Sequence, residues 1–490
     1  MKRIAIISPS LRNGGAERIA GLLSKYLSNS YEVYLFLSDT SNIVYEYSGE
    51  IVDIGIGGKG TDYVEYYIDF YKKKYQIDCA ISFLQFYNYA NIRTRGKEKV
   101  IVSERNMRAV SIPEPDHHSQ IQTKALYPKA DVVVSVSEGV KCNLSQSYGI
   151  DVDNIKTIYN FIDKDAIREK SLQKPEDNID DFIAGSKLII NVGRLLEVKN
   201  QVRLIRQFAN LIQDGEDVKL LILGSGVLED ELNTLIKELK LERYVKILRY
   251  CKNPFPYIKK ASIFAFASQK EGLPNVLLEA MCLGIPIVSV DCLSGPRELL
   301  AGETDYREET QSFRLCNRGI LVTNDVSEDT GETKYLKEAI SYMLKNPNYA
   351  DEVIENEKRY METYSNEEIL RSWIDVIERP QKQETEQIKN DYEKDNKKLV
   401  VYGAGDYAKR AVTQLLKDNI SIHLIAVSDK KNNPEDICGI PVRDIESLCA
   451  YKDEIAVMVG VSWSNQGGVV EKLLSLGFED IRFLRLRPEI

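Results

Sequence analysis

The sequence is short of histidine, of long hydrophobic runs and of positive charge. Only three His occur in 490 residues. The eight Cys are scattered, with no Cys-x-x-Cys pair and no His beside most of them, so buried thiols are expected rather than zinc or a disulfide framework. A net charge of −9 argues against a nucleic acid as the main partner. No apolar run approaches the roughly 20 residues that span a bilayer. Met1–Pro9 has too short an apolar core for a signal peptide and reads as a first β-strand, so a cytoplasmic protein is expected. No Asp-x-Asp stands at a strand end; Asp151-Val152-Asp153 reads as solvated turn, and no metal site is expected.

What is present is an almost unbroken alternation of strand-like apolar runs and amphipathic helical patterns, the mark of doubly wound α/β domains. One strand series runs through Arg3–Ser8, Tyr31–Leu37, Ile51–Ile54, Cys79–Phe83, Val100–Ser103, Val132–Val136 and Ile155–Tyr159. A second runs through Lys187–Val192, Lys219–Leu223, Val245–Leu248, Ile263–Ala267, Ile287–Val290 and Gly319–Val322. The polar stretch Asp163–Ser186 reads as the linker between them. Helix is expected from Val322 to about Ile377, with an N-cap near Tyr364–Glu368. Arg379–Lys398 is almost wholly polar and reads as a second linker or an exposed helix. A third α/β unit opens at Leu399, with strands at Ile422–Val427 and Ile455–Gly460.

The densest motif is Glu271-Gly272-Leu273-Pro274-Asn275-Val276-Leu277-Leu278-Glu279. Ile263–Ala267 before it is a buried strand, Pro274 and Asn275 start a helix, and Gly284 with Pro286 ends it. Glu271 therefore sits in the strand-to-helix loop and Glu279 in the second helical turn. The free N–H groups near Asn275, Val276 and Leu277 form an anion site between these carboxylates. Such an arrangement suits a sugar-nucleotide, with hydroxyls at both ends and a diphosphate between. The second series opens with Gly193-Arg194 after a strand and Lys199 five residues on. Fixed cations there can stabilise the charge that develops on a nucleoside diphosphate leaving group. After the first strand, Gly14-Gly15 precedes a helix and lets backbone approach a ligand closely. Thr61–Gln76 is rich in Tyr and Phe and ends in Lys72-Lys73-Lys74; it reads as core packing with a solvated basic end, or as a peripheral contact with an anionic membrane.

These motifs resemble the retaining glycosyltransferases of family 4, which have the GT-B fold, over about residues 1–377. The resemblance implies two Rossmann-like domains facing across a cleft, at 1–165 and 184–363, the second holding the nucleotide-sugar, and a helix at 364–377 that crosses back to the first. It implies that Glu271 contacts the transferred sugar, Glu279 the ribose, and Arg194 and Lys199 the diphosphate. Gly14 and Gly15 would face the diphosphate. Gly193, Gly224, Gly272, Leu273, Asn275 and Val276 would line the donor site, and Tyr250 would follow the strand near the base. Ser103-Glu104-Arg105-Asn106 resembles a subgroup that builds bacterial polysaccharides and lipid-linked oligosaccharides, which places Glu104, Arg105 and Asn106 on the sugar or acceptor side. Many members carry a sugar-contacting His near this place; none stands here, and His117 and His118 lie in a later loop.

The expected activity is transfer of a hexose or N-acetylhexosamine from a UDP-sugar to a lipid-linked or cell-surface glycan, with retention, without a metal and without a cofactor. A polyprenyl-linked acceptor would bring the protein to the inner face of the cell membrane. The competing readings are a non-catalytic GT-B partner subunit and a GT-B sugar-nucleotide epimerase. A charged linker is expected at 378–397, then a small Rossmann-like accessory domain at 398–490. There Gly403-Ala404-Gly405, Ala408 and Asp429 resemble a shortened dinucleotide fingerprint. That unit either binds a nucleotide or sugar-nucleotide through Gly403, Gly405 and Asp429, or serves docking to a protein partner or homo-oligomerisation.

Overall fold

The computed structural model describes residues 1–12, 14–55, 63–108, 117–249, 251–292, 294–303, 310–325, 334–381, 397–461, 466–478 and 480–483. The first sheet contains β1 (Arg3–Ser8), β2 (Glu32–Leu37), β3 (Glu50–Asp53), β4 (Cys79–Phe83), β5 (Lys99–Glu104), β6 (Val132–Ser135) and β7 (Ile155–Thr157). All pairings are parallel, in the order β3-β2-β1-β4-β5-β6-β7. Its helices are α1 (Gly15–Leu27), α2 (Val64–Lys74), α3 (Gln85–Arg93), α4 (His117–Leu126) and α5 (Glu138–Tyr148). Helices on both faces explain why β4, β5 and β6 are buried along their whole length and read as continuous apolar runs.

Asp163–Ser186 is not the solvated linker its composition suggests. It folds into α6 (Lys164–Ser171) and the short α7 (Asp180–Ile183), and it buries Ile167 and Ile179. Asp163 caps α6 by accepting from the Ala166 N–H at 2.9 Å. The charged residues occupy the outer face of a helix whose few apolar positions are all used.

The second sheet contains β8 (Lys187–Val192), β9 (Val218–Leu223), β10 (Val245–Leu248), β11 (Ile263–Phe266), β12 (Ile287–Val290), β13 (Phe313–Cys316) and β14 (Gly319–Val322). Their order is β10-β9-β8-β11-β12-β14-β13, parallel except for β13. The edge strand β13 escapes the apolar pattern because its middle residues, Arg314 and Leu315, face solvent. The helices are α8 (Gln201–Gln213), α9 (Glu229–Glu238), α10 (Phe255–Lys259), α11 (Asn275–Leu283), α12 (Gly295–Ala301), α13 (Tyr335–Lys345) and α14 (Pro347–Thr363). Helix α6 packs on α10 and α11.

Helix α15 (Asn366–Glu378) lies against the first sheet, although it follows the second in sequence. Ser365 caps it through the Glu368 N–H. Its Ile369, Trp373, Val376 and Ile377 repeat at helical spacing and are buried. Trp373 is fully buried, 6.1 Å from the Phe83 ring, and Lys99 donates to the Ile377 carbonyl at 3.3 Å. Cutting such an anchor to Ala costs about 3–5 kcal/mol.

The third sheet contains β15 (Lys398–Tyr402), β16 (Leu424–Val427), β17 (Asp436–Ile437), β18 (Ile440–Asp444), β19 (Ile455–Val459) and β20 (Ile481–Phe483), in the order β17-β18-β16-β15-β19-β20. Its helices are α16 (Asp406–Lys417) and α17 (Gln466–Ser475). It meets the first unit where α17 packs on α4 and where Arg410 donates to the Tyr63 hydroxyl at 2.7 Å.

The basic end of α2 is smaller than the sequence implies. Lys72 is buried, paired with Glu98 at 2.8 Å and bonded to Asn91 and Thr94, so it belongs to the interior. Tyr71 and Tyr75 stack toward Phe36 and the core. Lys73, Lys74 and Phe70 remain exposed.

Candidate active site

Both larger sheets reverse strand order beside their first strand: β1 lies between β2 and β4, and β8 between β9 and β11. Ligands bind at the carboxyl ends of strands at such switch points. The loop after β1 leads into α1, the loop after β8 carries Gly193 to Lys199, and the loop after β11 carries Glu271 into α11. The starts of α1 and α11 face one another closely. A Cβ on Gly15 would stand 3.1 Å from the Asn275 amide nitrogen.

The β8 loop is shaped by its neighbours. A Cβ on Gly224 would meet the Gly193 carbonyl at 1.9 Å, so Gly224 lets the two loops touch. Leu195 donates to the Ser225 carbonyl at 3.0 Å. Gly193 itself faces open space. Asn200 then takes the left-handed conformation, φ 48°, and caps α8 through the Arg203 N–H. This leaves Arg194 exposed and Lys199 half-buried at the loop's end. Gln269 and Ser268 bond to the Val198 carbonyl, which fixes the β11 loop against the β8 loop. Lys199 forms an ion pair with Glu271.

Glu271 and Glu279 are both buried, so each carboxylate needs a partner. Glu279 finds one in the first domain: Arg18, in the first turn of α1, lies 2.5 Å from it. Glu17, one residue earlier, folds back over Gly14; a Cβ there would fall 1.9 Å from its carboxylate oxygen. Burial raises the Glu17 carboxyl above its ordinary value, while its own N–H and the field of Arg194 pull it down.

Gly272 and Leu273 serve the contact between domains. A Cβ on Gly272 would meet the Arg105 carbonyl at 2.1 Å, and one on Gly295 would meet the Gly272 carbonyl at 2.4 Å. Asn160, after β7, donates to the Leu273 carbonyl at 3.0 Å and to the Asn275 side chain at 2.7 Å. Val276 is half-buried, and Tyr250 lies outside the described residues.

Two sequence expectations on the acceptor side need correction. Glu104 is buried, with Arg108 at 2.6 Å and Tyr127 at 2.8 Å; it neutralises Arg108 rather than facing a ligand. Arg105 is also buried. It bonds to Asn160 and lies over Phe83, and burial lowers it to about 10. A polar run at a strand end resembles a ligand contact, but here the strand end is roofed by the second domain. Asn106 is exposed. His117 and His118 begin α4, and their side chains lie outside the described residues.

Sequence reasoning missed Arg18, Asn160 and Glu298. The Glu298 carboxylate, on α12, accepts from the N–H groups of Glu138 and Gly139 at 3.0 and 2.7 Å, capping α5 across the domain boundary. Asn160 stands just beyond a strand end, whereas Arg18 and Glu298 lie in the first turns of α1 and α12. In the third unit, Gly403 has φ +123°, and a Cβ on it would meet the Gly460 carbonyl at 2.7 Å. Gly405 precedes α16 in open space, and Asp429 caps a short turn through the Lys431 N–H. Among the described residues no group of three or more His, Cys, Asp or Glu could hold a metal ion.

Two Rossmann-like units facing across this cleft, with the last helix returning to the first, define the GT-B class of glycosyltransferases. Residues 173–360 match the family described as Glycosyl transferases group 1. The chain is 34% identical to the N-acetylgalactosamine-N,N'-diacetylbacillosaminyl-diphospho-undecaprenol 4-alpha-N-acetylgalactosaminyltransferase of Campylobacter jejuni, over 62% of this chain and 84% of that protein. It is 24% identical to the amylovoran biosynthesis glycosyltransferase AmsD of Erwinia amylovora, over 77% and 99%. Among solved structures, Anabaena HepE in complex with UDP and glucose superposes with a TM-score of 0.59 at 19% identity, covering 77% of this chain and 99% of that one. The chain belongs to the group 1 glycosyltransferase family, and it is a GT-B glycosyltransferase.

Proposed function

We propose that this glycosyltransferase moves a hexose or N-acetylhexosamine from a UDP-sugar to a lipid-linked glycan, with retention at the anomeric carbon and without a metal ion. The observation that carries this reading is the meeting of Arg194, Lys199, Glu271 and Glu279 with the start of α1 at two facing switch points. The diphosphate would lie between the starts of α1 and α11, beside Arg194 and Lys199. Two helix N-termini and two cations offset the charge of the departing nucleotide, the role a metal ion plays elsewhere. Glu279 would hold the ribose and Glu271 the sugar.

The acceptor oxygen attacks the anomeric carbon from the face that the phosphate oxygen leaves. The bond from that carbon to phosphate breaks, the new glycosidic bond forms, and the acceptor proton passes to the departing phosphate oxygen. Glu271 positions the sugar and forms no bond to it. The Campylobacter relative's name specifies a diphospho-undecaprenol-linked acceptor, and HepE was solved with UDP and glucose; both support the choice of substrates. A lipid-linked acceptor places the reaction at the inner face of the cell membrane. Exposed Phe70, Lys73 and Lys74 suit peripheral contact, and no helix among the described residues is long and apolar enough to cross a membrane.

The test is a donor panel with an undecaprenyl-diphosphate-linked acceptor, read by nucleotide release and product NMR. Acceptor-dependent UDP release, an α-linked product from an α-donor, and turnover undiminished by EDTA are expected. Donor binding without turnover on any acceptor would favour a partner subunit instead.

A further inference from the structure

Arg18 and Glu279 are joined across the cleft that the donor must enter. Glu279 is almost completely buried, while the Arg18 side chain keeps about a third of its surface exposed (31% against 5%). The carboxylate is thus the fixed member of the pair, and the guanidinium reaches it from the open side. Arg18 stands three residues, about 4.5 Å along the axis, from Gly15 at the start of α1, and Gly15 is in near contact with Asn275 at the start of α11. A guanidinium released from Glu279 therefore needs only a side-chain rotation to reach an anion held between the two helix starts. Glu17 completes the picture: its carboxylate already lies over Gly14, in the field of Arg194. The first turn of α1 presents an anion and a cation in the order in which a diphosphate and a ribose would meet Arg194 and Glu279.

We propose that Arg18 is a donor-binding residue that exchanges partners: in the empty cleft it neutralises Glu279, and when a nucleoside diphosphate enters, the ribose hydroxyls take over Glu279 and Arg18 pairs with the diphosphate. After the exchange the Glu279 carboxylate accepts hydrogen bonds from the ribose hydroxyls and Arg18 is paired with the diphosphate, whereas removal of Arg18 alone would leave a buried carboxylate with neither. It also makes the diphosphate, rather than the nucleoside, the group that rewards opening of the ion pair. This rests on the assignment of Glu279 to the ribose given above.

Titration calorimetry of the full chain with UDP and with uridine tests it. In Arg18→Ala, UDP should bind at least tenfold more weakly, while uridine binds as in the wild type or more tightly, because its competitor for Glu279 is gone. Arg18→Lys should recover part of the UDP affinity, and it serves alone if the Ala variant fails to fold. UDP binding unchanged or tightened in Arg18→Ala would reduce Arg18 to a latch and overturn the proposal. Equal weakening of UDP and uridine would overturn it too, by making Arg18 a support of the nucleoside pocket. A wild-type protein that binds UDP no better than uridine would refute the diphosphate assignment itself, a failure visible without any variant.

Discussion

Lys199 and Glu271 form an ion pair that ties the loop after β8 to the loop after β11, 72 residues further along the chain. Each is the other's counterion. Replacing Lys199 by Ala therefore removes a cation from the diphosphate and strands a buried carboxylate. The kcat/KM should fall by about two to three orders of magnitude. Arg194→Ala should show a similar loss in kcat/KM without a change in melting temperature, since Arg194 is exposed. Near wild-type turnover in both variants would remove these residues from the mechanism.

The two glutamates should separate in binding experiments. Glu279→Ala should weaken UDP itself. Glu271→Ala should leave UDP affinity nearly intact and impair use of the intact donor, because its partner is the sugar. Calorimetry with UDP beside steady-state kinetics with the donor distinguishes them, and equal losses of UDP affinity would contradict the division.

Glu357 on α14 is fully buried, and neither carboxylate oxygen has a hydrogen-bond partner. Burial drives its carboxyl well above the ordinary value of 4.5, against the pull of Arg318. The folded chain therefore keeps a proton that the unfolded chain has already lost above pH 4.5. The stability this group contributes is complete below that pH and declines as pH rises toward the folded value, by about 1.4 kcal/mol per pH unit. In Glu357→Gln that dependence should vanish. Denaturant midpoints should show the variant ahead of the wild type at pH 8, with the gap closing as pH falls to 4.5. A constant gap across this range would show that Glu357 does not titrate as its burial requires.

Glu298 holds the domains together by capping α5 from the other side of the boundary. Glu298→Ala leaves the N–H groups of Glu138 and Gly139 without that acceptor. It should cost about 1–3 kcal/mol in chemical denaturation, whereas Tyr159→Phe, which loses only a 3.3 Å contact to the same carboxylate, should cost much less. Equal stability of Glu298→Ala and the wild type would mean water replaces the cap at no cost.

The third unit meets the first through Arg410 and Tyr63, and through α17 and α4, while Arg194, Lys199, Glu271 and Glu279 all belong to the second. A chain ending at Gln381 should transfer sugar to a short soluble acceptor at close to the full-length rate. The end belongs there rather than at Ile377, because Lys2 and Tyr31 bond to Glu378, and Lys97 to Gln381. Loss of turnover in such a chain, with its melting transition retained, would show that the third unit contributes to the cleft. If residues 398–490 hold a sugar-nucleotide, calorimetry should detect UDP-sugar binding to the full chain that a Gly405→Asp change removes without affecting turnover.

The order of the central strands and the helices between them was legible in the sequence, because parallel strands buried on both faces must be apolar throughout. β1, β4, β8, β12 and β14 begin and end where their apolar runs do. The sequence also showed which loops follow strand ends, and so placed Arg194, Lys199, Glu271 and Glu279 near a common edge. Short and edge elements were hidden: β13 and β17 are paired on one side only, and α6 spends most of its surface on solvent. Which charged residues remain available was settled by the packing of the folded chain. Glu104, Arg105 and Lys72 look like surface groups in one dimension, yet burial forces each to find an internal partner. Arg18 reaches Glu279 across 261 residues, and Glu298 reaches Gly139 across 159. Charge pairing over such separations depends on how two sheets face one another, and no local pattern of residues encodes that.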